Sequence, residues 1–150
     1  MALLKDRAIV LRRLDYSETS QVVAVFTPAH GQLRLIAKGI KRGTRTRAAT
    51  GLDLLELGDM VFSRRAGSES HLSTLVEWRQ REAFPHLRRS LAGAYAAQYA
   101  AEATSLLTEA DDPHPALFEA LQAYLQELKN APPAPALCAY LRRLLTEIGL

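Results

Sequence analysis

The chain has 150 residues, of which 48% are hydrophobic and 23% are charged, a balance that predicts a folded core and excludes a disordered polymer. It has no apolar run near the roughly 20 residues of a membrane-spanning helix, no signal-peptide pattern, and one cysteine, Cys138, which excludes an intramolecular disulfide framework and favours a reducing cytoplasm. The net charge of +3 is unevenly divided: residues 1–82 carry 14 basic and 9 acidic side chains, whereas residues 83–150 carry 5 and 7.

The first part of the chain has the composition of β-strands. Short apolar and β-branched runs predict strands at residues 7–12, 21–27 and 32–38. Residues 28–31 lie between the second and third runs and have turn chemistry, because proline presets φ and glycine permits a positive φ. We therefore expect these two strands to form a hairpin.

The third predicted strand and the segment after it hold the densest positive charge. Apolar and polar residues alternate in this strand, which predicts one buried face and one wet face that bears Arg34 and Lys38. Residues 39–51 then indicate a loop with three glycines and no acid. From Gly31 to Gly51 the basic residues are Arg34, Lys38, Lys41, Arg42, Arg45 and Arg47.

Such a stretch favours nucleic acid as the partner. Phosphates attract clustered cations, and glycines let backbone N–H groups approach them. The alternative is a solvated loop kept soluble by its charge. The spacing of the glycines does not match a P-loop.

Two more strands complete the predicted β region. A longer segment at residues 52–65 contains Gly58, which suggests a bend or bulge, and residues 71–78 follow a turn at residues 67–70. Five short strands in about 80 residues fit a small closed barrel such as an OB-fold. An open five-stranded sheet or an SH3-like barrel fits the periodicity almost as well.

The hydrophobic period changes after Phe84-Pro85. A stripe with a spacing of four residues, of the kind that faces a core, predicts one long helix; its members are Leu87, Leu91, Tyr95, Tyr99, Ala103 and Leu107. Apolar residues predict a second helix over residues 117–128 and a third over residues 137–148, separated by proline-containing breaks. The fold class is therefore α+β: an N-terminal five-stranded OB-fold-like β-barrel at residues 1–82 and a small helical domain at residues 83–150.

Further residues are candidates for the DNA-binding surface. Arg12 and Arg13 end the first strand and could extend the basic surface, or could be ordinary surface charge, as could Arg64 and Arg65. Tyr16 lies in a polar turn and is the best candidate for stacking on bases. Phe26, Phe62 and Trp78 are further candidates for stacking, but Phe26 and Phe62 lie in apolar strand runs and are better interpreted as core. We expect electrostatics to dominate, with a steep salt dependence and little sequence preference.

No catalytic constellation is evident, and we expect a protein that is not an enzyme. The four histidines are scattered without metal-ligand spacing. Asp111, Asp112 and His114 are better interpreted as a turn between helices than as a metal cluster. A DNA-processing enzyme such as a nuclease is the least favoured class.

The order and spacing of several segments resemble the RecO family of DNA repair proteins. The segments that carry the resemblance are residues 7–13, 15–20, 26–33, 36–39, 117–121 and 141–150. The resemblance implies an OB-fold, a helical domain and recombination mediation: binding of single- and double-stranded DNA, strand annealing and loading of RecA onto protein-coated single strands. It also implies a cytoplasmic, nucleoid-associated protein.

The resemblance further implies partners. These are a RecR-like protein, single-stranded-DNA-binding protein and, indirectly, RecA. The acidic tail of single-stranded-DNA-binding protein is expected to dock on the helical domain, where Arg142 and Arg143 lie beside Leu144 and offer a basic, apolar surface. Alternatively both arginines are the wet face of a helix. Many family members carry a four-cysteine zinc site in a further region; Cys138 alone cannot supply one, so no cofactor is expected in this chain.

Overall fold

The computed structural model describes residues 2–15, 17–38, 51–64 and 72–150. It confirms an α+β fold in which a five-stranded closed barrel is followed by three α-helices. The strands are β1 (Ala2–Asp15), β2 (Ser20–Thr27), β3 (Gly31–Lys38), β4 (Leu57–Arg64) and β5 (Leu72–Glu82). A 3₁₀ helix at Pro85–Arg88 precedes α1 (Leu91–Leu107), α2 (Pro115–Glu127) and α3 (Pro133–Glu147).

The strand order around the barrel is β1-β2-β3-β5-β4, and β4 pairs with β1 to close it. All neighbours are antiparallel except β3 and β5, which are parallel over a short register. The alternatives of an open sheet and an SH3-like barrel are therefore set aside in favour of the OB-fold-like barrel. Closure gives each described strand a neighbour on both sides, although β3 and β5 pair only over Arg34–Ile36 and Leu72–Thr74.

β1 is more than twice as long as predicted, because its first half pairs with β4 and its second half pairs with β2. A register shift between Val10 and Arg12 adds one residue, Leu11, to this strand. Val10 then faces the barrel interior, whereas Leu11 joins the cluster under the helices. Charged residues near the start of β1 masked this length in the sequence: Lys5 and Arg7 face solvent, and Asp6 bonds His30 at 2.7 Å, while their backbone stays paired with β4.

The strand predicted at residues 52–65 is corrected to Leu57–Arg64, and Leu52 instead inserts into the barrel core from an irregular segment. The last strand runs on to Glu82 rather than ending at Trp78. Gly58 lies at a register shift, as its presence suggested. It also makes room for a ring, because a Cβ at this position would lie 2.4 Å from atoms of Trp78.

The helices pack on the outside of the barrel and form a second core. Ile9, Leu11 and Phe26 supply the barrel side, and Phe26 lies 6.2 Å from the Phe118 ring of α2, measured between ring centroids. Ser90 caps α1, because its hydroxyl accepts from the Gly93 N–H at 3.1 Å. None of the described helices has the length and apolar character needed to cross a membrane.

The stripe predicted to mark the buried face of α1 is wrong for most of its members. Leu91, Tyr95 and Tyr99 are 70%, 63% and 59% exposed. The helix instead buries a face of small residues, namely Gly93, Ala96, Ala97, Ala100, Ala101 and Thr104. Small side chains let the helix backbone approach its neighbours closely, so the alanines rather than the larger residues face the core.

The end of α1 is fastened to the barrel by Gln32 at the start of β3. Its amide donates to the backbone oxygens of Ser105 and Thr108 at 3.0 and 3.2 Å and to the Thr108 hydroxyl at 2.9 Å. Gly31 has φ of 72°, and a Cβ there would lie 2.5 Å from the Asp112 carbonyl oxygen. Glycine is therefore required both by the turn and by this close approach.

Candidate nucleic-acid interface

One lateral row of the barrel surface carries two of the predicted DNA-binding arginines. Arg12 of β1 is paired with Ala24 of β2, and Ala24 is paired with Arg34 of β3. Both arginines are exposed, so they lie on the outer face, and their Cα atoms are two strand spacings, or about 10 Å, apart across the sheet. The small Ala24 between them leaves the space above the sheet open.

The wet face of β3 follows the predicted alternation. Leu33, Leu35 and Ala37 are buried, whereas Arg34 and Lys38 are exposed. Lys38 pairs with Ser20 at the end of the β2–β3 hairpin that lies away from the turn. Period 2 thus places both cations on the face that Arg12 shares.

A shallow cavity of about 500 Å³ lies on this surface. Its charged walls are Arg12, Arg13 and Arg34. Its apolar lining consists of Leu14, Val22, Ala24 and Leu72, and its other polar lining of Gln32 and Ser105. Cations beside an apolar floor suit a ligand that has both phosphates and flat apolar groups, as a single strand of nucleic acid has. We call the outer surface formed by Arg12, Arg34 and Lys38 the basic face; Arg13 borders it, but its register partner Val23 faces the barrel interior.

Three cations of the basic face have no carboxylate partner among the described residues: Arg12, Arg34 and Lys38. Several arginines elsewhere in the described part are paired instead: Arg64 with Asp111 at 2.6 Å, and Arg79 and Arg81 with Asp59 at 3.2 and 3.0 Å. Unpaired cations keep their charge available to an incoming anion, whereas a bound carboxylate already neutralises it.

Arg13 lies beside the basic face and is paired. Its guanidinium donates to the Leu52 carbonyl oxygen at 3.2 Å and to an Asp53 carboxylate oxygen at 3.3 Å. The other oxygen of Asp53 lies 3.5 Å from Arg88 of the 3₁₀ helix. Arg13 therefore holds the segment after residue 50 against β1, besides adding charge.

Lys41, Arg42, Arg45 and Arg47 lie outside the described residues, as does Tyr16. The described residues on both sides of the basic segment meet at Gln21. Ala37 pairs with Gln21 in the sheet, and the Gln21 side chain accepts from the Leu52 N–H at 3.0 Å and donates to the Leu52 oxygen at 3.4 Å. The segment thus leaves and rejoins the barrel beside Lys38 and Arg13.

The aromatic candidates within the strands belong to the core. Phe26 and Phe62 are fully buried, as the sequence favoured, and Trp78 is almost fully buried. The Trp78 indole N–H donates to the buried Glu56 carboxylate at 2.5 Å, so the ring is fixed inside the barrel. Sequence reasoning missed the exposed rings of Tyr95 and Tyr99, although the alanines between them were a signal that could have found them.

The residues of α3 that were predicted to bind a protein partner do not all face solvent. Arg142 and Arg143 are exposed on α3, and Arg143 pairs with Glu147 at 3.0 Å. Leu144 is fully buried in the second core, so its side chain is not accessible to a partner, and its neighbour Leu145 is 41% exposed.

Among the described residues, the side chains with shifted pKa values lie in the helical core, away from the basic face. Tyr124 and Tyr140 stack with ring centroids 5.2 Å apart. Burial raises the pKa of Tyr124 to about 12 and raises the pKa of Tyr140 above its usual range. The Tyr140 hydroxyl lies 2.6 Å from the Thr104 hydroxyl. Within the described ranges no group of three or more His, Cys, Asp or Glu side chains could hold a metal ion.

Comparison with known proteins connects this geometry to a family. Residues 1–84 match the profile described as "Recombination protein O N terminal", and residues 88–150 match "Recombination protein O C terminal". Relatives named DNA repair protein RecO include one from Halalkalibacterium halodurans, 35% identical over 78% of this chain and 44% of its own length. Another, from Salinibacter ruber, is 33% identical over 87% of this chain and 49% of its own length.

The chain spans about half the length of the curated relatives that it matches. Both parts of the fold, the barrel and the helices, are matched by their own profile. The chain therefore belongs to the recombination protein O family.

Proposed function

We propose that this chain is a non-enzymatic DNA-binding protein of recombinational repair. In this proposal it binds single- and double-stranded DNA through the basic face and the basic segment anchored beside it. The observation that carries the proposal is the set of unpaired cations, Arg12, Arg34 and Lys38, on one outer face of an OB-fold-like barrel. Membership of a family whose relatives are named for DNA repair supports the same role.

The geometry favours a backbone-directed mode of binding. Arginines about 10 Å apart along one row can each contact a different phosphate of one strand. Lys41, Arg42, Arg45 and Arg47 would then add contacts from the segment that starts and ends beside Gln21. Binding of this kind releases counterions and shows little sequence preference.

Annealing of complementary strands and loading of RecA onto protein-coated strands belong to the same proposal, as do a RecR-like partner and single-stranded-DNA-binding protein. For the last of these, Arg142 and Arg143 remain the proposed contacts, with exposed Leu145 rather than buried Leu144 available beside them. The four-cysteine zinc site of many family members does not fit this chain, because Cys138 is its one cysteine. The division of the chain after residue 82 also remains a proposal.

A salt titration of binding to a short labelled single strand tests the proposal. Replacing Lys41, Arg42, Arg45 and Arg47 by Ala should lower the slope of log affinity against log salt by up to about 2.8, since each phosphate contact on single-stranded DNA contributes about 0.7. The rival hypothesis, a protein–protein adaptor with an incidental basic loop, predicts no change. Strand cleavage by the pure protein with added divalent metal would refute its non-enzymatic character.

A further inference from the structure

One helix of the structure carries a continuous apolar surface that faces solvent. Leu91, Tyr95, Tyr99 and Leu106 of α1 are 59–70% exposed. They follow one another at spacings of four, four and seven residues, which places them on one side of the helix. Glu102 lies on the same side and is the one charged residue among them. We call these five residues the α1 stripe.

The α1 stripe is comparable in size to the largest apolar patch of a typical monomeric protein. An aromatic side chain offers about 150–250 Å², so, taking a similar figure for leucine, four side chains about two-thirds exposed present on the order of 500 Å². Single exposed apolar residues are ordinary, whereas a contiguous patch of this size equals the largest patch of a typical monomer, which is often functional. The stripe faces away from the core that α1 shares with the barrel and α3, because that core contacts the alanine face.

We propose that a second copy of this chain covers the α1 stripe, with the two α1 helices antiparallel about a two-fold axis. The inference depends on the spacing of the stripe residues along α1. When the helix is turned end for end about the midpoint between Gln98 and Tyr99, the positions of these residues are almost unchanged. Reversal places Leu91 opposite Leu106 and Tyr95 opposite Glu102. A two-fold interface needs this self-complementarity, because each residue meets its counterpart twice.

The same pairing gives the single charge of the stripe a partner. Opposite Glu102, the Tyr95 hydroxyl of the second copy can donate to the carboxylate, and the symmetry repeats this bond. Ala92 and Ala103 lie next to the stripe in the helix, and such small side chains let two helices approach closely.

The area predicts a weak dimer. Two stripes together bury roughly 1,000 Å², at the lower limit of specific interfaces, so the dissociation constant should lie in the micromolar range. The relatives are about twice as long as this chain, and their additional length is the rival occupant of the same face.

Sedimentation equilibrium on the 150-residue chain tests the proposal, at concentrations from about 1 to about 500 µM, which span the weak-dimer range. Changing Tyr95→Gln together with Leu106→Gln keeps good helix formers on α1 and should raise the dissociation constant at least tenfold. The matched control is Leu3→Gln, because Leu3 is 65% exposed on β1 of the barrel; its dissociation constant should equal that of the unchanged chain. A monomer at every concentration, or equal effects of both changes, would overturn the proposal.

Disulfide trapping tests the orientation, in a Cys138→Ser background. In the antiparallel pair the two copies of residue 99 are offset by about 1.5 Å along the helix axis, whereas the two copies of residue 91 are offset by about 22 Å. Tyr99→Cys should therefore form a covalent dimer under mild oxidation, and Leu91→Cys should not, because a disulfide spans less than about 7 Å between Cα atoms. Cross-linking through both positions would indicate parallel helices and refute the proposed arrangement.

Discussion

Replacing Arg12 and Arg34 by glutamine should weaken DNA binding in a salt-dependent manner. The two side chains share one row across β1, β2 and β3 and have no carboxylate partner in the described part of the chain. If each contacts one phosphate, the slope of log affinity against log salt for a single strand falls by up to about 1.4. Between 50 and 200 mM salt, the affinity gap between the unchanged protein and the variant should then shrink by roughly sevenfold.

The assay is fluorescence anisotropy with two labelled single strands of unrelated sequence, each titrated at several salt concentrations. The matched control is Arg79→Gln, because Arg79 is a strand arginine with 71% exposure whose charge is paired with Asp59 at 3.2 Å. Both variants replace exposed strand arginines, so circular dichroism should show the same folded state. The control should keep the original slope, and both strands should give the same result.

Two results would refute the reasoning. If the double variant keeps the original slope, Arg12 and Arg34 do not contact phosphates and the basic face is not the DNA site. If Arg79→Gln lowers the slope as much, general positive charge, rather than this face, governs the interaction.

Two further predictions concern stability. Changing Gly58→Ala should destabilise the fold by about 1–3 kcal/mol in urea denaturation, because the new Cβ would lie 2.4 Å from the Trp78 ring. The control is Gly93→Ala in α1, whose Cβ would have its nearest contact at 3.6 Å and which should be neutral or stabilising by up to about 1 kcal/mol. Equal losses of stability in the two variants would contradict the role of the ring. Burial raises the pKa of Tyr124 to about 12, so the folded state favours the neutral phenol. The stability that this preference contributes is complete below about pH 10 and is lost as the pH rises through about 12. Tyr124→Phe should therefore lose less stability than the unchanged protein between about pH 9 and 11, and an equal loss would contradict this cause.

Strand existence was predictable where one face of a strand is dry. β3 shows this best, since Leu33 and Leu35 alternate with Arg34 and the hairpin turn before it has Gly31 with a positive φ. The ends of β1 and β5 were not predictable, because pairing on both sides in a closed barrel lets charged residues continue a strand. Leu52 illustrates the opposite error: an apolar residue that was assigned to a strand packs into the barrel from an irregular segment.

The buried face of α1 could not be predicted from the size of its apolar residues. Larger side chains at a spacing of four residues indicated the core, but close packing against β1 and α3 selects the alanines. For the candidate site, composition located Arg34 and Lys38 on a wet strand, whereas only the register across β2 shows that Arg12 lies in the same row. Such a pairing joins residues distant in sequence, and no local pattern encodes it.

The second core joins the barrel and the helices, so the two halves depend on each other for stability. Ile9, Leu11 and Phe26 belong to the barrel but are covered by the helices, and Gln32 fastens the end of α1 to the same side. A barrel severed after Glu82 would expose these side chains to water and become prone to aggregation. The barrel should therefore not fold stably as an isolated domain, and the barrel and helices should unfold together in a single thermal transition.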